Sequence, residues 1–270
     1  MDTSKKNQAC PYLEPKCADI DCDCPKYLAY VDAKDEKVVA EIMAEKGFDQ
    51  SLPAWDLMYT MQKSFAGSLH KIDGLTKEEV DYWVDKYLVC IDDEMREVRE
   101  HLNLYGDHQV ETEEQQAELR KEVIDIIHFV MDLFIVGGAS ASEVKHKYAA
   151  RYLNGRQLPA DVDLIAVAYE HQRDDVLTYL DAVGQTDDIT MVKALCRLAD
   201  ACGAVRQQIS WKHWKKPNPT IDKDKLHDAF ALVFHEFITL CVLTMNDQAD
   251  VRNIYVQKNI ENICRQRHGY

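Results

Sequence analysis

Proline is absent from Ala54 to Leu158, and the absence of this strong helix breaker over so long a stretch is the feature that most constrains the fold. Apolar residues recur there and later in the chain with the 3.6-residue period of a helix, and period-two alternation is scarce. The sequence therefore predicts an all-α helical bundle. The predicted helices lie near residues 35–46, 54–70, 76–103, 113–136, 141–153, 161–183, 187–209, 222–246 and 249–266.

The overall charge limits the classes of partner. The 270 residues carry a net charge of -15, which argues against a protein that coats the phosphate backbone of nucleic acid. The sequence contains no run of 18 apolar residues, so it predicts no membrane span. It has no apolar segment near its start, so it predicts no secretory signal. We therefore expect a cytoplasmic protein, in the host cytoplasm if its source is viral, with no membrane partner.

The nine cysteines fall into two groups. Cys10, Cys17, Cys22 and Cys24 crowd the N-terminus, and their spacing is not one of the usual zinc-ligand patterns. They indicate either a zinc site or a loosely ordered tail with no metal. The other five lie within helical patterns and are expected to be buried thiols in a reducing compartment.

A shift of the sequence by 107 residues superposes its apolar patterns without gaps. Asp81 then meets Asp188, and His128 meets His235. This indicates an ancient duplication. The sequence predicts an N-terminal extension (1–50), a first helical repeat (51–158) and a degenerate second repeat (159–270), packed as an internal pseudo-dimer.

Carboxylates in the first repeat suggest a metal site. Glu94 and Glu97 form E-x-x-E, and Glu122 and Asp125 form E-x-x-D on a helix whose other residues are mostly apolar. Buried carboxylates need compensation from cations. Mg²⁺ prefers such oxygen ligands, although a network of salt bridges with lysine and arginine would serve as well.

The second repeat has lost all four acids together. At the 107-residue offset they become Ala201, Ala204, Ala229 and Leu232. The second half instead carries WKHWKK, from Trp211 to Lys216, and the terminal KNIENICRQRHGY, from Lys258 to Tyr270. The acids thus come from one half, and aromatic and cationic groups come from the other.

Together these motifs resemble the all-α dimeric dUTPases of the MazG-like pyrophosphatase superfamily. The resemblance rests on E-x-x-E, on E-x-x-D-x-x-H-F, on the Trp-Lys segment and on the terminal K-N-x-x-N-x-x-R-Q-x-x-G-Y, and it covers roughly residues 52–270. It implies hydrolysis of dUTP to dUMP and pyrophosphate with Mg²⁺, two or more ions, for which Mn²⁺ could substitute.

The resemblance also implies roles for individual residues. The expected metal ligands are Glu94, Glu97, Glu122 and Asp125; Glu94, Glu97 and Lys215 are the expected catalytic residues; and Gln62, Phe129, Trp211, Lys258, Asn262, Arg265 and Tyr270 are expected to bind substrate. The terminal helix would then face the acids of the first half.

The chain departs from the family in two places. The Trp-Lys segment follows the acid-free helix instead of the E-x-x-E helix, and Ala66 stands where the family has asparagine. The oligomeric state is therefore open between a monomeric pseudo-dimer and a homodimer. The substrate is also open, with dCTP or a modified nucleotide as alternatives to dUTP. Two other classes also stay open: a catalytically inactive interaction protein, and a di-iron bundle using the pairs Glu143/His146, Asp125/His128 and Asp224/His227.

Overall fold

A computed structural model describes residues 25–102, 112–183, 188–212, 214–216 and 220–269. No β-strand occurs in these parts of the chain, so the predicted all-α class is confirmed. The helices are α1 (Pro25–Ala33), α2 (Glu36–Lys46), α3 (Ala54–Leu69), α4 (Lys77–His101), α5 (Glu113–Val136), α6 (Ala141–Tyr152), α7 (Leu164–Val183), α8 (Asp188–Arg206), α9 (Lys223–Thr244) and α10 (Gln248–Arg267).

The described residues form two compact units. The larger spans residues 51–254, and the smaller combines residues up to 50 with residues from 255 onward. The division predicted from the sequence, an extension (1–50) followed by two repeats (51–158 and 159–270), describes a duplication and not compact units. That division therefore stays a prediction.

Two apolar helices form the core of the larger unit. α5 packs against α4, α9 and α3, and α9 packs against α8, α7 and α6. Nearly every side chain of α5 from Val123 to Val136 is buried. Because α9 is apolar all round as well, these two helices can be stable only where other helices cover them.

Side-chain caps fix where the helices begin. The Thr76 hydroxyl accepts a hydrogen bond from the Glu79 backbone N–H, and the Glu79 carboxylate accepts one from the Thr76 backbone N–H, so the two residues form a capping box at the start of α4. Thr112 and Gln115 form the same arrangement at α5. These caps hold the starts of the two acid-bearing helices.

α9 is long and apolar enough to cross a membrane by length and composition, and α5 and α6 together pass the same test across a bend of 103°. However, 67% of the most apolar stretch of α9 is buried inside the protein. The same properties are expected of a core helix, so they are weak evidence for a membrane location.

The cysteines differ in part from the prediction. Cys202, Cys241 and Cys264 are buried as expected, but Cys90 is half-buried and Cys196 is exposed. Cys196 lies on the outer side of α8, where an apolar period alone does not separate a thiol from solvent. The four N-terminal cysteines lie outside the described residues.

Candidate active site

Three of the four predicted metal ligands meet between α4 and α5. Glu94 comes from α4, Glu122 and Asp125 come from α5, and one ligand atom of each lies within 4.8 Å of the other two. The i, i+3 spacing puts Glu122 and Asp125 on one face of α5, which packs against α4. Carboxylate oxygens at this separation fit a hard divalent cation such as Mg²⁺.

Histidines lie beside two of these acids. His101 Nε2 is 3.7 Å from Glu122 Oε1, and His128 Nδ1 is 3.8 Å from Asp125 Oδ1. His128 Nδ1 is also 3.2 Å from the carbonyl oxygen of Ile124, so an N–H at this position donates to the backbone. That contact fixes the ring of the buried His128 beside the acid group.

Glu97 stands outside the group of three. Its carboxylate is 3.3 Å from Arg96 Nη2, and its side chain is 43% exposed. Although it lies one turn from Glu94, it is further toward solvent than Glu122 or Asp125, which are 16% and 19% exposed. Its roles as metal ligand and catalytic residue stay predictions.

Gln62 and Asp132 form a buried pair between α3 and α5. Gln62 is 1% exposed and Asp132 is 4% exposed, and Gln62 Nε2 donates to Asp132 Oδ1 over 3.0 Å. Burial raises the pKa of Asp132 to about 8, although the hydrogen bond from Gln62 acts in the opposite direction. The carboxyl is therefore mostly protonated at neutral pH, and the pair is uncharged.

A row of aromatic rings leads from α3 to Phe129. The His70 ring stacks on Trp83 at 3.7 Å, Trp83 lies 5.9 Å from Tyr87, and Tyr87 lies 6.2 Å from Phe129, all between ring centroids. Tyr87 Oη is 2.6 Å from His70 Nε2. Phe129 was predicted from the family motif. The other three were missed, although Trp83 and Tyr87 precede Glu94 at helical spacing and could have been found from it.

Trp211 and Lys215 line a different cavity, of about 420 Å³, together with Lys212, Lys216 and Arg206. These cations suit an anionic ligand, and Trp214 beside them is 72% exposed.

Contacts of Arg206 place this cavity relative to α4. Arg206 Nη2 is 2.8 Å from Asp92 Oδ2, and its Nε is 3.9 Å from Asp85 Oδ1. Asp92 and Glu94 are two residues apart and so point about 200° apart around the helix axis. The cavity therefore lies toward the face of α4 that is turned away from Glu94. The structure does not bring Trp211 or Lys215 into the group of acids, and their roles stay predictions.

The terminal motif belongs to the smaller unit. Arg265 Nη2 is 2.6 Å from Glu261 Oε1, and its Nη1 is 3.4 Å from Asn262 Oδ1. The buried Asn259 donates to Tyr255 Oη over 3.1 Å, and Lys258 is half-buried. Tyr270 lies outside the described residues. That α10 faces the acids, and that Lys258, Asn262 and Arg265 bind substrate, stay predictions.

The pairs considered for a di-iron centre do not converge in the described part of the chain, where the group suited to a metal is Glu94, Glu122 and Asp125. Glu143 instead closes the cap of α6. His227 Nε2 lies 3.0 Å from the carbonyl oxygen of Gly137, to which it donates.

A buried pair of helices that presents three carboxylates beside an aromatic row defines an all-α protein with a candidate metal-dependent site. The family model described as dUTPase matches residues 54–182, and over this part the chain is similar to the all-α dimeric dUTPase family. The match includes Gln62, Glu94, Glu97 and the E-x-x-D helix, and it ends before Trp211. No curated protein and no solved structure matches the chain.

Proposed function

We propose that this protein is a Mg²⁺-dependent nucleoside triphosphate pyrophosphohydrolase that converts dUTP and water to dUMP and pyrophosphate. The observation that carries the proposal is the convergence of Glu94, Glu122 and Asp125 within the part of the chain that matches the dUTPase family. The family supports an activity on dUTP or related deoxynucleoside triphosphates. The choice of dUTP and of Mg²⁺ belongs to the proposal.

A bound divalent cation would supply positive charge for the triphosphate and a lowered pKa for the attacking water. Glu94, Glu122 and Asp125 would hold it between α4 and α5. Water attacks the α-phosphorus, the bond from this phosphorus to the bridging oxygen breaks, and pyrophosphate leaves. Glu97, one turn along α4 and accessible to solvent, would accept the proton that water loses.

The aromatic row and the buried pair supply the nucleoside side of the site. Phe129 and Tyr87 offer flat apolar surfaces for a base. Gln62 and the protonated Asp132 carry hydrogen-bonding groups that can read its edge. An uncharged pair suits a neutral pyrimidine better than an ionised carboxylate would, since a carboxylate repels the carbonyl oxygens of uracil.

Pyrophosphate release tests the proposal directly. We expect Mg²⁺-dependent release from a panel of dUTP, dCTP, dGTP, dTTP and dATP, with the highest kcat/KM for dUTP. Mn²⁺ should restore activity after chelation. Failure of every nucleotide to yield pyrophosphate would reject the enzyme assignment, whereas a preference for dCTP would change only the substrate. Glu97→Gln should hydrolyse at least tenfold more slowly, and a variant as fast as the parent would remove Glu97 from the mechanism.

A further inference from the structure

The second half of the larger unit contains a cavity that the proposed reaction does not use. Its volume is about 500 Å³, within the usual range for small-molecule sites of about 300 to 1,000 Å³. α7, α8 and α9 line it. The three helices stand to one another as α3, α4 and α5 do around the candidate active site, because α7 and α8 both pack on α9 as α3 and α4 pack on α5.

Matching contacts strengthen this correspondence. In the first half, Tyr59 Oη donates to the carbonyl oxygen of Ala139, just after the end of α5, over 2.7 Å. In the second half, Tyr169 Oη donates to the carbonyl oxygen of Met245, just after the end of α9, over 3.3 Å. In each of the two helical trios, α3–α5 and α7–α9, the first helix therefore donates a tyrosine hydrogen bond to the backbone that follows the central helix.

Three residues after each tyrosine lies a buried glutamine. Gln62 donates to Asp132 on α5. Gln172, which is 3% exposed, has its Nε2 at 2.7 Å from Nδ1 and 2.6 Å from Nε2 of His235 on α9. Gln172 and His235 both line the cavity. Gln172 thus repeats the kind of contact that Gln62 makes with the central helix, although the two glutamines are 110 positions apart and not 107. Gln62 is the amide that the proposed function assigns to the substrate.

The floor of the second cavity is uncharged. Burial lowers the pKa of His235 to about 3, with Arg197, His171 and Arg151 contributing in the same direction, so its ring is neutral at pH 7. The His235 ring stacks on Tyr152 at 3.7 Å, which fixes its plane. Thr239, which is also buried, adds a hydroxyl.

The charges around this cavity do not suit a polyphosphate. Asp175 and Asp200 balance Lys193 and Arg197 in the lining. Arg197 already contacts the buried Glu236 through Nε and Nη2, each at 3.0 Å. Net positive charge is therefore absent from this lining, in contrast with the three lysines beside Trp211.

We propose that the cavity between α7, α8 and α9 is a second, metal-independent binding site for an uncharged pyrimidine nucleoside. Val176, Tyr179 and Leu243 provide apolar surface for the ring, and Gln172, neutral His235 and Thr239 provide hydrogen-bonding groups for its edge. The existence of the site rests on this geometry. The choice of a pyrimidine rests on the proposed function, because the first half supplies the template.

Cys196 lines the cavity and is exposed, so its alkylation reports whether the cavity is filled. The protein is treated with iodoacetamide in EDTA, with and without saturating deoxyuridine, and each cysteine is followed by peptide mass spectrometry. We expect deoxyuridine to slow alkylation of Cys196 at least fivefold and dUTP to slow it much less. An unchanged rate at millimolar deoxyuridine would overturn the proposal, and equal protection by dUTP would overturn its preference for an uncharged ligand.

Two variants assign the protection to this cavity. Gln172→Leu should abolish it, whereas Gln62→Leu, the matched change in the first half, should leave it intact. Val176→Trp, at a half-buried position, fills the cavity without removing a buried polar group and decides the question if Gln172→Leu does not fold. Protection that survives both Gln172→Leu and Val176→Trp would contradict the assignment. Pyrophosphate release is measured separately, so a failure of the proposed function is distinguishable from a failure here.

Discussion

The two helical trios of the larger unit, α3–α5 and α7–α9, share their framework and differ in their charges. In both trios a tyrosine of the first helix donates a hydrogen bond to the backbone just after the central helix. In both, a buried glutamine of the first helix contacts a side chain of the central helix through its amide nitrogen. Only the first has the acids. At the proposed offset Glu94 and Glu122 correspond to Ala201 and Ala229, which are 1% and 8% exposed.

This difference shows which side chains a helical trio needs for its stability. Half-buried carboxylates that lie within 4.8 Å of one another repel and are costly to desolvate. The second trio closes over alanine at the equivalent places and stays fully helical there. The acids are therefore not needed for the packing of such a trio, which agrees with the proposed role of these three residues as metal ligands.

The largest expected effect is the loss of one acid. Glu122→Gln keeps the size of the side chain but removes a charged metal ligand, so we expect kcat/KM to fall at least 100-fold, which is about 2.7 kcal/mol of transition-state stabilisation. Steady-state pyrophosphate release measures this.

The matched control is Glu118→Gln, one turn earlier on α5. Glu118 contacts Lys121 at 2.5 Å and its side chain is 44% exposed, and we expect kcat/KM within twofold of the parent. Equal losses in the two variants would mean that general negative charge on α5, and not the group of three, supports activity.

The next effect compares the two glutamines. Gln62→Leu removes the donor to Asp132 and leaves a buried polar group unsatisfied, which costs about 1 to 3 kcal/mol. We expect kcat/KM for dUTP to fall roughly 10- to 100-fold, while Gln172→Leu changes it less than twofold. If Gln172→Leu impaired hydrolysis as much, the two trios would not differ in function as proposed.

A smaller effect concerns stability and pH at Asp132. Its folded-state pKa, about 8, is above that of an unfolded aspartate, so folding favours the protonated form. Its contribution to the free energy of unfolding is complete below about pH 4 and is lost as pH rises through 8, with a slope of at most about 1.4 kcal/mol per pH unit. Asp132→Asn keeps an acceptor for Gln62 and should remove this part of the pH dependence.

Urea denaturation of both proteins between pH 5 and 9 measures this difference. The variant should gain stability relative to the parent as the pH increases. Parallel curves for the two proteins would show that Asp132 is ionised throughout, and the uncharged pair in the nucleoside pocket would have to be abandoned.

Most of the helices could be predicted from the sequence because the 3.6-residue period is strong and proline is rare. The predicted 113–136 agrees with α5 at both ends. α1 was missed, because a nine-residue helix offers too few turns for a period to be seen. Pro25 at its first position was the available signal, since proline is favoured at the start of a helix.

The candidate site was predictable only in part. Spacing along one helix places Glu122 beside Asp125, and the family motif adds Glu94. Which buried polar groups meet across helices depends on the rotation of each helix about its axis, which a period does not determine. The pairing of Gln62 with Asp132, 70 positions apart, could therefore not be predicted, whereas the opposite facing of Asp92 and Glu94 follows from their spacing on a predicted helix.

The smallest expected effect is at the start of α4. Thr76→Ala removes the hydroxyl that accepts from the Glu79 backbone and should lower the free energy of unfolding by about 1 kcal/mol, whereas Thr76→Ser keeps the cap and should restore most of it. Because Glu94 lies five turns further along the helix, the KM for dUTP and the Mg²⁺ dependence should not change in either variant. A shift in Mg²⁺ dependence with Thr76→Ala would mean that helix fraying reaches the acids. The helical packing that the two trios share would then influence the acids that only the first trio has.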